Sequence, residues 1–245
     1  MKILVCISNV PDTTSKITFT DNNTKFNTAG VQFIINPYDE LALTRALELT
    51  EKQGGTVTVI NVGLADAEPS IRKALAIGAT DAVRINAEPT DAYFVAEQIA
   101  AYAKTENFDL VLTGRESIDY NSGQVCGLLG EMLGIASVNG ITSLEIENGI
   151  AILTRDIDGG REKLSCKIPL VASAQQELAE PRIPNMRGIM SARTKPLTVA
   201  QPTGSDKTSA TVLFELPPPK GSCKMVSPEN AEQIIELLHS EAKVI

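Results

Sequence analysis

The chain has 245 residues, 43% of them hydrophobic, and a formal net charge of -8, so it can bury a sizeable core as one large domain or as a domain plus an appendage. It has no Lys/Arg-rich run and lacks the electrostatic footprint that phosphate backbones demand; nucleic acid is excluded as a partner. No segment approaches the roughly 18 consecutive apolar residues of a membrane helix, and the opening "MKILVCISNV" lacks the apolar stretch and cleavage site of a signal peptide, so no membrane insertion and a cytoplasmic location are expected.

The run "KILVCI", Lys2 to Ile7, is short, apolar and rich in β-formers, which predicts a buried strand. The stretch "NPYDELALTRALELTEKQGG" predicts a helix with both ends marked. Asn36 stands as N-cap, Pro37 at the first helical position, Asp39 at N3, and Gly54-Gly55 stops it. Then follow "TVTVINVG" as strand, "AEPSIRKALAIGA" as a helix ending at Gly78, "DAVRI" as strand, and "DAYFVAEQIAAYAKTEN" as helix. "FDLVLTG" is the fourth strand, and a helix is predicted from about Ser122 to Leu133. From about Ile141 the pattern changes to strand-like runs separated by Asn148-Gly149 and by Asp158-Gly159-Gly160, which are hairpin signals. "EPRIPNMRGIMSARTKP" predicts an exposed ordered loop. Beyond Pro196 periodicity fades until a last helix, "SPENAEQIIELLHSEAKV". That tail has too little apolar content to fold alone, so it must lie on this domain or on a partner.

Strands that are apolar throughout and alternate with helices predict a mostly parallel open α/β sheet covered by helices on both faces, with antiparallel additions and an extended C-terminal arm. In such sheets ligands bind beyond the carboxyl ends of the strands. The candidate site is therefore the set of loops after Ile7, Val62 and Leu112. In "TGRESIDYNSGQVCG" a helix beginning straight after a strand would present unpaired N–H groups and the positive end of its dipole. Ser122, Gly123 and Gln124 would open that helix, and Gly114 would leave room. A plainly capped helix, with Ser122 bonding its own N–H groups, is the alternative. "SNVPDTTSK", with Asn9, Pro11, Asp12 and Thr13, lies at the same edge if strands one and four are neighbours; a surface turn explains it equally. For Asn36 a capping role is sufficient by itself.

No GxGxxG and no GxxxxGK[ST] occurs, which leaves an NAD-type site and a P-loop NTPase unsupported. Cys6, Cys126, Cys166 and Cys223 are scattered and the one histidine is His239, a pattern that favours neither a disulfide framework nor a zinc site. Neither does it supply the dyad of a triad hydrolase. Cys126 falls in the first turn of a helix, where the dipole would lower a thiol pKa; burial as a small hydrophobe is the competing reading and is favoured. Asp156 and Asp158 flank a hairpin turn rather than form an acid/base pair.

Seven ordered segments resemble the beta subunit of electron transfer flavoprotein across essentially the whole chain. They are "VPDTT" at 10–14, "NPYDELAL" at 36–43, "ALAIGATDAVRI" at 74–85, "DLVLTGRESID" at 109–119, "SGQV" at 122–125, "RDIDGGREKL" at 155–164 and "EPRIPNMRGIMSARTKP" at 180–196. The resemblance implies a heterodimer with an alpha subunit that holds most of a redox-active FAD, in a fold similar to the adenine nucleotide alpha hydrolases. It implies an adenine-nucleotide site for AMP, or for a second FAD as in bifurcating and nitrogen-fixation members. That site would be lined by Cys6, Asn9, Asn36, Val62, Gly63, Thr113, Gly114, Asp119, Asn121, Ser122, Gly123, Gln124 and Val125. Thr13 and Asp156 would lie near the flavin. A loop at about 181–195, with Arg182, Met186 and Ile189, would dock on acyl-CoA or related dehydrogenases; a quinone oxidoreductase or other acceptor would take the electrons. No catalytic residue and no metal are implied: the chain would be an electron carrier subunit, not an enzyme. Residues 1–195 would form the nucleotide-binding domain, with 196–245 an arm packing on the alpha subunit.

The match departs from the family at three places. Many members carry an acidic residue where Asn121 stands, a glycine where Cys126 stands, and an aromatic where Thr13 stands. Two rival functions share the fold: a stand-alone adenine-nucleotide-binding regulator of the universal stress protein type, and an ATP-using ligase or pyrophosphatase. The region after Arg182 is surplus in the first, and the second lacks its early glycine-serine phosphate loop.

Overall fold

The computed structural model describes residues 1–204 and 208–245. The strands are β1 (Lys2–Cys6), β2 (Asn9–Pro11), β3 (Phe19–Thr20), β4 (Lys25–Phe26) and β5 (Phe33–Ile35). After them come α1 (Pro37–Gln53), β6 (Thr56–Val62), α2 (Glu68–Ile77), β7 (Asp81–Ile85), α3 (Ala92–Ala103), β8 (Leu110–Gly114) and α4 (Val125–Leu133). The second half holds β9 (Ala136–Glu147), β10 (Ile150–Ile157), β11 (Gly160–Lys167), β12 (Leu170–Ala174), α5 (Met186–Ala192), β13 (Leu197–Ala200) and α6 (Glu232–Leu237).

One nine-stranded open sheet runs in the order β11-β10-β9-β12-β8-β1-β6-β7-β13. Every neighbouring pair from β9 to β13 is parallel, while β9-β10 and β10-β11 are antiparallel. The strands of the parallel centre are largely apolar because both of their faces are covered. Ile3, Val5, Val57 and Val59 face α1 and α2, with Leu43, Leu47, Ile71 and Leu75 packed against them. Leu4, Ile60, Val83 and Val111 face α3 and α4, against Phe94, Ile99 and Leu129. Each fully buried Ile or Leu of these two layers contributes roughly 1.5–3 kcal/mol of transfer free energy.

Four features differ from the sequence-based expectation. Leu170–Ala174 returns to the centre of the sheet as β12, parallel to both β8 and β9. The strand expected from Ile141 begins at Ala136 and bends where Gly140 takes a φ of 68°; its far half reaches α1, where Arg45 and Gln53 donate to Leu144 O and Ile146 O. The expected loop after Pro181 contains the short helix α5, whose N-cap Asn185 accepts from Gly188 N at 2.8 Å. Leu197–Ala200 pairs with β7 as an edge strand. The hairpins predicted at 148–149 and 158–160 are present, with Asn148, Gly149 and Gly159 all at positive φ.

Beyond Ala200 the tail touches the domain at several points. Thr203 N donates to Gln98 Oε1 at 2.7 Å, Thr208 N and Ser209 N donate to Asp91 Oδ2, and Phe214 stacks on Phe19 at 5.0 Å. From Leu216 the chain exposes Met225, Ile234, Ile235, Val244 and Ile245.

Candidate functional site

Chain order reverses across the sheet between β1 and β8, since β6 and β7 follow on one side of β1 and β8 lies on the other. This is the switch point at which the loops leaving two parallel strands diverge and open a crevice. Strands one and four are neighbours as the sequence suggested: Ile3, Leu4 and Val5 register with Leu110, Val111 and Leu112.

The first turn of α1 closes the floor of the crevice. Asn36 is at the N-cap position, yet its side chain does not cap the helix. It spans instead to the loop after β8, with Nδ2 donating to Glu116 O at 2.8 Å and Oδ1 accepting from Ile118 N at 3.3 Å. Capping is therefore not its role, because the acceptor that would serve α1 is engaged across 82 residues of sequence. Asp39, 3% exposed, accepts from Ser8 N through Oδ2 at 2.7 Å and from Gly114 N through Oδ1 at 2.8 Å. Burial lifts its carboxyl to about 7, against the pull of bonds from Ser8, Asn36 and Gly114. Gly114 is required here: a Cβ would stand 2.2 Å from Asp39 Oδ1 and 2.8 Å from Tyr38 Cβ.

The loop after β8 forms a tight turn before α4. Ser117 and Ser122 pair as an isolated antiparallel bridge, Asn121 N donates to Ser117 O at 2.7 Å, and Asn121 takes a φ of 50°. Asp119 is held inside the turn by Ser117 Oγ at 2.6 Å and Tyr120 N at 3.0 Å. Helix α4 starts at Val125, three residues later than expected, because the bridge holds Ser122 in an extended segment. No side chain caps α4. Among the described residues the N–H groups of Gly123, Gln124 and Val125 have no protein acceptor. An uncapped helix start facing the crevice at a switch point suits an anion. Gly123 and Gln124 are exposed, and Arg115, ion-paired loosely with Glu116 at 3.6 Å, brings a cation to the same loop.

The other candidate residues sort by face. Cys6, Val62 and Thr113 are buried at the strand ends, the first two in the layer that faces α3 and α4. Asn9 is engaged by Ser70 Oγ, which donates to its Oδ1 at 2.6 Å. Gly63 is held from the α2 side: Arg84 Nη1 donates to its carbonyl at 3.0 Å, and a Cβ on it would meet Asn61 Oδ1 at 2.5 Å. Asn61 in turn donates to Ile7 O at 2.8 Å. Asp39, Asn61 and Arg84 were not singled out from the sequence as parts of the site. The signal was there for two of them, a polar side chain within the otherwise apolar strands "TVTVINV" and "DAVRI".

Cys126 is buried as a small hydrophobe, the reading favoured from the sequence, and its thiol is not lowered by the helix start. Burial pushes it up to about 12, despite hydrogen bonds with Ser173 and Thr113 and with the Val138 carbonyl. Burial likewise carries Cys6 well above the ordinary thiol value, followed by the charge of Asp39 and by Cys126. Removal from water costs the thiolate more than a helix start returns. Both cysteines are inert core residues.

Thr13 is exposed in a turn where Asp12 accepts from Thr14 N at 2.8 Å. Asp156, also exposed, accepts from Arg161 Nε at 2.9 Å across the β10-β11 hairpin. Arg182 grips Glu51 with both terminal nitrogens, at 2.6 and 2.8 Å. Helix α5 lies on α2: Arg72 Nη1 donates to Ala192 O and Lys195 O, while Lys195 Nζ donates to Leu75 O and Ala79 O. Its outer side carries Met186 at 75% exposure with Ile189 and Met190, and Ile183 stands out just ahead of it.

An open, doubly wound α/β protein with free amides at its switch point, and a short helix pinned on the far end of α2, is the class that fold and site define. Residues 23–204 match the family model described as electron transfer flavoprotein domain. The chain is 40% identical to the electron transfer flavoprotein subunit beta of Bacillus subtilis, with both chains covered end to end. It is 35% identical to that of Syntrophomonas wolfei, over all of this chain and 98% of the relative, and 30% identical to the human one, over all of this chain and 99% of the relative. The chain belongs to the electron transfer flavoprotein family, as a beta subunit, and is a protein of electron transport.

Proposed function

We propose that the chain pairs with an alpha subunit to form a FAD-containing electron carrier, and that it holds an adenine nucleotide, AMP or a second FAD, at its own switch point. The heterodimer takes electrons from dehydrogenases such as those acting on acyl-CoA and passes them to a quinone oxidoreductase or another acceptor. FAD, when bound, supplies the redox chemistry, and this chain binds, positions and docks. The observation that carries the nucleotide part is the uncapped start of α4: its amides and Arg115 fit a phosphate, and Gly123 lets it approach. Cys6, Asn36, Val62, Gly63 and Thr113 to Val125 form the walls, and Asn9 braces them through Ser70. Thr13 and Asp156 contribute flavin-side contacts from the assembled heterodimer.

Docking falls to the α5 face, with Met186 as a flexible apolar anchor and Ile189 beside it. Arg182 acts as an anchor of the segment to Glu51 rather than as a contact to the partner. The exposed Met225, Ile234 and Ile235 of the arm fit against the alpha subunit. A stand-alone regulator is disfavoured because the likeness to beta subunits spans the arm as well as the domain. The deciding experiment is the nucleotide content released on denaturing the purified heterodimer. One FAD with one AMP, or two FAD, supports the reading; one FAD and no second nucleotide overturns it.

A further inference from the structure

The crevice at the switch point is bounded by two chain segments, Ile7–Asn9 after β1 and Gly114–Glu116 after β8. Neither is tied to the other directly. Both hang on one carboxylate, that of Asp39, which accepts Ser8 N at 2.7 Å and Gly114 N at 2.8 Å. Its neighbour Asn36 repeats the arrangement one turn earlier, donating its own N–H to Ser8 O at 3.0 Å and its side-chain amide to Glu116 O at 2.8 Å.

We propose that Asp39 is the positioning residue of the nucleotide site, fixing through its two oxygens the gap between the strand ends in which the nucleotide sits. The inference rests on the nucleotide reading above and adds to it a residue that does not itself touch the ligand. Three observations argue for a positioning role beyond ordinary packing.

First, both oxygens face backbone N–H donors, and only a group with two acceptors satisfies both. An amide of the same shape would turn its NH2 toward one of them and leave that donor unmet. Second, no cation pairs with Asp39 among the described residues. A buried acid without a counter-ion is costly to keep, and here the two amides and the start of α1 are what compensate it. Third, the fit leaves no slack. Gly114 approaches so closely that a Cβ would overlap Asp39 Oδ1, so the strand end cannot drift toward the carboxylate.

The test uses the complete heterodimer at pH 8, where the carboxylate is ionised, with AMP and FAD as probes in titration calorimetry after nucleotide stripping. The isosteric variant Asp39→Asn should weaken binding at this site at least tenfold, while the flavin held by the alpha subunit and heterodimer assembly are unchanged. Affinity within about twofold of wild type in an assembled variant overturns the proposal. Should the variant fail to assemble, amide exchange on the stripped wild type decides. Ser8 and Gly114 amides already protected without nucleotide support a gap set in advance by Asp39; amides that become protected only when AMP or FAD is added overturn it. A wild-type heterodimer that binds neither probe at this site defeats the nucleotide reading and this proposal together, whereas normal wild-type binding with an unaffected variant defeats the Asp39 proposal alone.

Discussion

Gly188→Ala tests whether α5, the proposed docking element, is pinned to α2 or moves as a loop. Gly188 lies in α5 directly over the carbonyl of Ala76 near the end of α2, and a Cβ built there would stand 2.3 Å from that oxygen. The optimum for such non-bonded atoms is about 3.5 Å, so α5 must retreat by about 1 Å. Its far end is held by Arg72 and Lys195, through four bonds of 2.6–2.9 Å to backbone carbonyls, so the helix tilts rather than translates. Overpacking of this kind costs roughly 1–3 kcal/mol, which lowers the ratio of docked to undocked α5 by roughly 5- to 150-fold. Hydrogen exchange across 185–195 in the heterodimer should accelerate by a factor in that range. The apolar layers of the sheet are untouched, and exchange in β1, β6 and β8 should stay as in wild type. Electron transfer from a dehydrogenase should slow while flavin content is unchanged. Unaltered exchange at 185–195 would refute the pinned helix.

Met186→Ala should reduce transfer from dehydrogenases without loss of flavin, and with a stability change within about 0.5 kcal/mol because the side chain is largely in solvent; loss of flavin in stopped-flow and absorbance measurements would misplace the docking face. Asp91 ties the arm to α3: burial raises its carboxyl, but bonds from Phe94 N, Ser209 N and Thr208 outweigh that and hold it at about 2, below the ordinary 3.8. Its contribution is therefore present above about pH 4 and lost as pH falls toward 2. Asp91→Asn, which still caps α3, should speed limited proteolysis at 208–214 at neutral pH. Asp39 acts with the opposite sign, since burial lifts it from 3.8 to about 7 against its hydrogen bonds. Its contribution to stability is greatest below about pH 4 and declines as pH rises through 7, with the buried Cys6 thiol as its titratable neighbour. Denaturant unfolding at pH 5 and pH 8 should show a slope that Asp39→Asn removes.

The sequence carried the parallel half of the fold because its signals are local. Apolar runs such as "KILVC" have only one way to be buried on both faces, and Asn36-Pro37 and Gly54 bracket α1. The parts it hid depend on distant partners. "LVASA" is one apolar run among several until β8 and β9 close on it, and "LTVA" becomes a strand only because β7 offers a free edge. Helix α5, with seven residues, is too short for periodicity to show. Ser122 looked like a helix start, and the bridge to Ser117 that withholds it from α4 has no sequence signature. The crevice itself was legible from the alternation of strands and helices. Its bracing was not, since Asp39 at N3 looks like any acid in the first turn of a helix.

That bracing explains how so polar an edge is compatible with a close-packed sheet. Asn61 Nδ2, Arg84 Nη1, Asp39 and Asn36 each end on a backbone group of a loop that leaves the carboxyl edge: Ile7 O, Gly63 O, Ser8 N with Gly114 N, and Glu116 O. All four are nearly inaccessible to water, where a hydrogen bond is stronger and an unmet partner more costly than at the surface. All four project from α1 and its N-cap or from the face of the sheet that α1 and α2 cover, and Ser70, which holds Asn9, projects from α2. The amides of α4 lie on the opposite face and have no such partners. The division follows from what each face must do. Polar groups bonded to loop backbone keep loop geometry fixed without a ligand, although Asn61 Oδ1 and Arg84 Nε are themselves buried without a partner among the described residues; groups left unsatisfied can gain from binding one. Helix α2 also bears α5, so the layer that fixes the crevice is the layer on which α5, the proposed docking helix, rests. Changes that loosen α2, such as Leu75→Ala at a fully buried position, should therefore disturb nucleotide retention and docking together, whereas Met186→Ala should touch docking alone.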